Sequence, residues 1–229
     1  MPEDARGAPP PPPLRVVLIG PPGAGKSTLV PALVQSFSLD RIATGERLRA
    51  EIGAGTELGR TAAAYVERGD LVPDTLIEQL LRSSLAATKP GYGILLDGYP
   101  RSVHQARTLD TVLAELDRPL NVVLALELPD EEILRRLGGR RLCTGTGEPW
   151  TLHLDDAAAV ARCRAQGGTL EQRDDDRPEV IAQRLAVYRR QTEPLLAAYR
   201  AAGLLREVDA TGSPADVQAR AITALRRLS

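Results

Sequence analysis

The stretch Gly20-Pro21-Pro22-Gly23-Ala24-Gly25-Lys26-Ser27-Thr28 has the spacing G-x-x-x-x-G-K-[ST]. Glycines at this spacing let the backbone close around an anion with its N–H groups turned inward, and a helix starting at the end of the loop adds the positive end of its dipole. Lys26 then reaches the β- and γ-phosphates of a nucleoside triphosphate, and the Ser27 hydroxyl faces Mg²⁺. Asp97 is the second position that can do chemistry. It ends the apolar run 93–97, and a carboxylate at the carboxyl end of a buried strand can hold Mg²⁺ or its waters beside such a loop. Its other reading is a turn former or helix cap. Arginine is the third signal: Arg49, Arg101, Arg136, Arg140, Arg141, Arg173 and Arg184 fall near the ends of expected elements or inside expected inserts. Planar guanidinium groups match phosphate oxygens, and phosphoryl transfer depends on charge neutralisation more than on covalent protein chemistry. Spacing does not show that these arginines converge, and any one of them also suits a solvated surface.

These residues need a rigid frame. Residues 14–19 read as a buried strand and 27–36 as the helix after the loop. Thr44 caps a helix that carries Glu46 and Glu51 early. A further helix spans 57–68, with Leu58, Ala62, Tyr65 and Val66 at helical spacing and Gly69 as its stop. Pro73 opens another, with Leu76, Ile77, Leu80, Leu81 and Leu85 facing inward. Residues 93–97 and 120–128 read as strands and 102–116 as a helix; Asp130 caps a helix that ends near Gly138 and Gly139. Between 140 and 176, glycines, threonines and mixed charges leave no helical core face, so this reads as an insert of short strands and loops. Pro178 opens a long helix to about residue 200, with Pro194 marking a kink or seam. Residues 204–208 form a last strand and 216–228 a last helix. The alternation predicts an α/β fold with a parallel sheet covered on both faces. Residues 1–13 end in five prolines and read as a polyproline II or disordered tail; a docking segment is the other reading.

With 229 residues, 43% of them hydrophobic, the chain can bury one well-sized core carrying inserted subdomains. A net charge of -1 supplies no field for nucleic acid or an anionic membrane. No apolar run approaches the roughly 18 residues of a membrane span, and the first eight residues have no apolar signal region. Two cysteines do not make a disulfide framework, so the expectation is a soluble cytoplasmic protein in a reducing compartment.

Several segments occur in a telling order: GPPGAGK at 20–26, TGERLR at 44–49, LVPD at 71–74, LLDGYPRS at 95–102 followed by Gln105, GRR at 139–141, RDDDRP at 173–178 and QRL around Arg184. Together they resemble the adenylate kinases, nucleoside monophosphate kinases of the long-lid type, over about residues 15–228. The resemblance implies a P-loop NTPase fold with a five-stranded parallel sheet flanked by helices. The core would be 14–42, 73–139 and 177–229, with a helical AMP-binding insert at 43–72 and a lid at 140–176. It implies the reaction MgATP + AMP ⇌ 2 ADP in a monomer whose partners are ATP and AMP, not nucleic acid or membrane.

The resemblance also implies roles. Gly23, Ala24, Gly25, Lys26, Ser27 and Thr28 hold the ATP phosphates, and Arg136 stacks near the ATP base. Trp150 falls near that base too, with simple lid packing as its other reading. Thr44 and Gln105 fit contacts to the adenine of AMP, with Leu71 and Val72 in the same pocket and Gly98 admitting the base close to the backbone. Arg49 and Arg101 clamp the AMP phosphate. Arg140, Arg173 and Arg184, with Lys26 and Arg101, act on the transferring phosphoryl group; Asp175 and Asp176 are lid-hinge acids that orient them. Mg²⁺ sits between Ser27 and Asp97, partly through water. The alternatives are a kinase for another nucleoside monophosphate and a catalytically weak ATP/AMP-sensing module. Thr44 with Gln105 favours AMP, and the complete arginine set favours catalysis.

Two departures stand out. Ser27 occupies a position where the family usually has glycine, so either Ser27 or Thr28 can offer the hydroxyl to Mg²⁺. In the lid, Cys143 and Cys163 match the first and third of four cysteines that bind zinc in some members, with Thr146 and Gln166 at the others, and Thr151 replaces a common histidine. Two thiolates do not close a tetrahedral site, even with His153 as a third ligand, so no zinc is expected. A polar, hydrogen-bonded lid without metal is the expectation, and a Cys143–Cys163 disulfide the alternative that a reducing compartment disfavours.

Overall fold

The first apolar run is the centre of the molecule. In a computed structural model, which describes residues 13–67, 72–173 and 176–228, β1 (Arg15–Ile19) pairs in parallel on both sides and encloses Val16 and Val17 completely. The loop leads into α1 (Lys26–Phe37), β2 (Leu39–Ala43), α2 (Thr44–Ala54), α3 (Glu57–Glu67), α4 (Asp74–Ala86), β3 (Gly93–Asp97), α5 (Val103–Glu115), β4 (Val122–Glu127) and α6 (Asp130–Gly139). A small subdomain follows: β5 (Arg140–Thr144), β6 (Trp150–His153), α7 (Ala157–Ala165) and β7 (Thr169–Glu171). The chain returns through α8 (Pro178–Val187) and α9 (Glu193–Ala201) to β8 (Leu205–Asp209) and α10 (Pro214–Arg226).

The main sheet has five parallel strands in the order β2-β3-β1-β4-β8, flanked by helices, which is the fold class the sequence predicts. Successive strand residues point to opposite faces. Val16, Leu18 and Leu124 therefore pack on one side with Leu29 and Leu33 of α1 and Val217 and Leu225 of α10. Val17, Leu96 and Val123 pack on the other with Leu81 of α4, Leu109 of α5 and Leu195 of α9. Burial on both faces is why these strands read as continuous apolar runs rather than alternating ones. β5, β6 and β7 form a separate antiparallel sheet in the order β6-β5-β7.

Register brings the functional ends together. Leu18 lies opposite Asp97, and Ala43 of β2 also lies opposite Asp97. The phosphate loop, the acid and Thr44 thus leave the sheet at one edge, the carboxyl edge where open α/β sheets bind ligands.

The structure departs from the sequence reading in four places. β2 was not anticipated, because on this edge strand only Leu39 and Ile42 are buried and Asp40 and Arg41 interrupt the pattern. Thr44 is not a cap: Ala43 holds the cap position in extended backbone, and Thr44 is the buried first residue of α2. Asp130 likewise follows Pro129, which holds the cap position, and pairs with Arg189. α7 was not anticipated because its alanines present no apolar stripe. Asp156 caps it by accepting from the Ala159 N–H at 2.9 Å, and Cys163 is its buried residue. Between α8 and α9 the chain passes through a π-helical turn at Tyr188–Thr192, the expected seam just before Pro194. The tail up to residue 12 and the expected stop at Gly69 lie outside the described residues. No helix among the described residues is long and apolar enough to cross a membrane.

Candidate active site

Gly25 is the cap residue of α1 and adopts φ 86° and ψ 18°, a left-handed conformation that only glycine takes without steric cost. It turns the chain so that the first N–H groups of α1 face outward from the loop. Ser27 and Thr28 are exposed there. The Lys26 side chain crosses the loop, donating from Nζ to the carbonyls of Gly20 at 2.5 Å and Pro21 at 3.0 Å. An ammonium has three donors, so one remains for a phosphate oxygen. Burial pushes Lys26 down to about 8; Asp97 opposes that shift, and Arg101 and Arg184 add to it.

A cavity of about 920 Å³ opens over this loop. Residues 22–29 line it together with Arg136, Arg140, Arg173 and Arg184. Thr151 and His153 of β6 face it from the small sheet. Arg140 donates through Nε and Nη2 to both oxygens of Asp176 at 2.7 and 2.6 Å, a two-point grip that fixes the guanidinium plane. Asp176 is fully buried, and Arg184 Nη1 lies 3.9 Å from the same carboxylate. One enclosed acid thus orients two of the expected phosphoryl-site arginines. Arg136 is held by Glu132 at 2.7 Å and the carbonyl of Ala210 at 2.9 Å.

A second cluster lies at the end of β3. Gly98 has φ 83°, and a Cβ on it would lie 3.2 Å from Arg101 Nη2 and 3.9 Å from the Thr44 hydroxyl. Arg101 Nε donates to the Gly98 carbonyl at 2.8 Å, and the Arg101 backbone N–H donates to Gln105 Oε1 at 2.8 Å. Gln105 Nε2 in turn donates to Asp74 Oδ1 at 2.7 Å. Thr44, Gly98, Arg101 and Gln105 therefore gather in one place. Asp97 stands between this cluster and the loop and accepts from Arg41 Nη2 at 2.7 Å. Arg41 also grips Glu46 at 3.0 and 2.7 Å. The hydroxyls of Ser27 and Thr28 with the Asp97 carboxylate are hard oxygen donors, a set that fits Mg²⁺.

Other expected site residues lie elsewhere. Trp150 does not line the cavity; it packs with Leu152 and Cys143, and Arg162 lies over its ring at 4.1 Å from the centroid. The pleat explains this, because Thr151 and His153 take the cavity face of β6 and Trp150 and Leu152 the opposite one. Val72 packs against the cluster of Leu48, Ala62 and Leu80. Leu71, Asp175 and the Arg49 side chain lie outside the described residues. Arg141 donates to the carbonyls of Gly138 and Arg140.

Of the readings open for the two cysteines, the structure shows the one that compartment disfavours. Cys143 of β5 and Cys163 of α7 form a disulfide, with Cα atoms 6.0 Å apart. Its setting is a satellite core in which Leu152 is the one other buried residue among those described, too little apolar surface to hold the subdomain unaided. His153 is engaged apart from this pair: Nε2 lies 3.1 Å from the Arg135 carbonyl, and Nδ1 accepts from the Asp155 N–H at 3.1 Å. The bridge spans 20 residues, which corresponds to about 3 kcal/mol of loop-closure entropy. Reductant should therefore lower the melting temperature in calorimetry by about 5–10 °C. A variant combining Cys143→Ser and Cys163→Ser should melt at that lower temperature with or without reductant.

Two residues escaped the sequence reading. Arg41 had one available signal, the pairing register: it lies opposite Leu95 on β3, two residues from Asp97 and so on the same face. Asp74 had none, since it meets Gln105 across 31 residues and by local rules is only an acid in a helix's first turn.

A family model described as adenylate kinase matches residues 18–204. The adenylate kinase of Salinispora tropica is 44% identical over 216 residues, covering 94% of this chain and 100% of its own. That of Thermodesulfovibrio yellowstonii is 42% identical over 200 residues, covering 87% and 93%, and that of Staphylococcus aureus 37% over 215 residues, covering 94% and 100%. A nucleotide-phosphate loop, an arginine-walled cavity and a match of this extent lead to one conclusion: the chain belongs to the adenylate kinase family of phosphotransferases.

Proposed function

We propose that the protein transfers the γ-phosphoryl group of MgATP to AMP, giving two ADP, with ATP in the cavity over residues 22–29 and AMP at the Thr44–Gly98–Arg101–Gln105 cluster. One observation carries this reading. Lys26 on the donor side lies close enough to Arg101 of the second cluster and to Arg184 of the cavity wall for both to act on its charge. Donor and acceptor groups thus share one electrostatic centre.

The loop amides and the remaining N–H of Lys26 bind the donor phosphates, and Arg136 flanks the ATP base. Arg101 and Arg49 bind the acceptor phosphate, whose oxygen is the nucleophile, so no side chain forms a covalent intermediate. Arg140, Arg173 and Arg184 stabilise the charge that spreads over the moving phosphoryl group. Closure of the β5–β7 subdomain, with Asp176 and Asp175 at its hinge, excludes water as a competing acceptor. The Ser27 or Thr28 hydroxyl and Asp97 would hold Mg²⁺, which would supply charge neutralisation on the phosphate oxygens. A monomeric, cytoplasmic enzyme belongs to the same reading, and the family resemblance supports it. The core, AMP-binding and lid boundaries at 43–72 and 140–176 do as well.

ATP supplied with each of AMP, CMP, UMP and GMP tests the substrate assignment. Rapid ADP formation with AMP is expected; turnover with CMP or UMP and none with AMP would contradict it. A pH dependence also follows from Lys26. Its charged form binds phosphate and is lost as pH rises through about 8. The Kd for ATP should thus rise by up to about fivefold between pH 8 and 9, a window in which an ordinary lysine stays charged. Calorimetric titration of ATP into the protein and into a Lys26→Met variant checks this: the variant should bind weakly with no such slope.

A further inference from the structure

We propose that Asp74 is a specificity-determining residue of the acceptor site: by fixing the polarity of the Gln105 amide, it makes the site select a 6-amino purine over a 6-oxo purine. The inference rests on the reading of Gln105 as a base contact and adds a residue to it. The two ends of a glutamine amide are nearly the same shape, so neighbours decide its orientation. Here both neighbours are unambiguous. The Arg101 backbone N–H, 2.8 Å from Oε1, can only donate, and the Asp74 carboxylate, 2.7 Å from Nε2, can only accept. A flipped amide would set donor against donor and oxygen against carboxylate. The Gln105 main chain is held as well, because the Tyr99 hydroxyl donates to its carbonyl at 3.0 Å.

In this orientation each end keeps one unused valence, an N–H on Nε2 and a lone pair on Oε1. Adenine offers the complementary edge, a 6-amino donor beside the N1 acceptor. Hypoxanthine, nearly the same shape, offers the reverse: an O6 acceptor beside an N1–H donor. An amide free to flip would serve both; one held at its two ends, by the Arg101 N–H and by Asp74, serves the first. Asp74 opens α4, so the positive helix terminus supports its charge, and its second oxygen lies 3.7 Å from His104 Nε2.

The test is steady-state kinetics with AMP and IMP at saturating MgATP. Asp74→Asn replaces the acceptor-only carboxylate with an amide that can present either polarity; Asp74→Ser is the second variant and covers a folding failure of the first. Both should lower the AMP:IMP ratio of kcat/KM by about tenfold, through KM for the monophosphate, with KM for ATP within twofold of the parent and Asp74→Glu restoring most of the ratio. A purely structural acid at the helix start would shift melting temperature and leave the ratio alone. If Gln105→Leu collapses the ratio while the Asp74 variants keep it, the inference is overturned and the Gln105 reading stands. If Gln105→Leu also leaves the ratio unchanged, both fall.

Discussion

Replacing Lys26 with Met should lower kcat by roughly 10²- to 10³-fold, the cost of removing one preorganised group from developing negative charge in a transition state. The side chain is committed to the loop by two carbonyl contacts, at Gly20 and Pro21, and one of its three donors remains for a phosphate oxygen. Burial disfavours its charge, and Arg101 and Arg184 disfavour it further. A cation held against that opposition gains when a polyanion arrives, which weakens ATP binding in the variant, and the loss in kcat is the further part gained as charge develops in the transition state. Met keeps the aliphatic stem, so the fold should survive; circular dichroism and melting temperature check that, and initial rates of ADP formation check the loss. A variant within tenfold of the parent would remove Lys26 from the mechanism.

Arg140→Ala should cost still more, on the order of 10³-fold or greater in kcat, the range found when an arginine that neutralises a transferring phosphoryl group is lost. The structure argues that geometry matters here as much as charge. Nε and Nη2, along one guanidinium edge, bind the two oxygens of the enclosed Asp176, so the plane is set before substrate arrives and the other edge keeps its donors. Arg140→Lys keeps the charge without the fork and should recover little. Asp176→Asn keeps both arginines but weakens the grip, and should give an intermediate loss of roughly 10- to 100-fold. Single-turnover kinetics, with KM for AMP measured alongside, separate these effects: the loss should fall on the chemical step, with KM for AMP nearly unchanged.

What the sequence disclosed follows from how local each signal is. The phosphate loop, its strand and its helix are contiguous, so spacing alone located Lys26 and Ser27. Asp97 was legible because a strand buried on both faces stands out as an apolar run with an acid at its end. β2 was not legible, because an edge strand with Asp40 and Arg41 in its middle carries half a pattern. With it went Arg41, whose grip on Asp97 exists only through strand register. α7 was hidden by alanines. Trp150 was displaced by one step of the pleat, a parity fixed by how β6 pairs with β5. Compartment disfavours the disulfide, whereas packing of α7 on β6 and β7 of the small sheet brings the cysteines together. Thr44 and Asp130 follow ordinary capping preferences, yet Ala43 and Pro129 take those places.

Transfer of label from ATP tests the central claim most directly. With ATP carrying a radiolabelled γ-phosphate, unlabelled AMP and Mg²⁺, a single turnover should place the label in the β-phosphate of ADP, with one labelled and one unlabelled ADP formed per ATP consumed. Label appearing as inorganic phosphate, or remaining in ATP while both nucleotides are bound, would contradict the account.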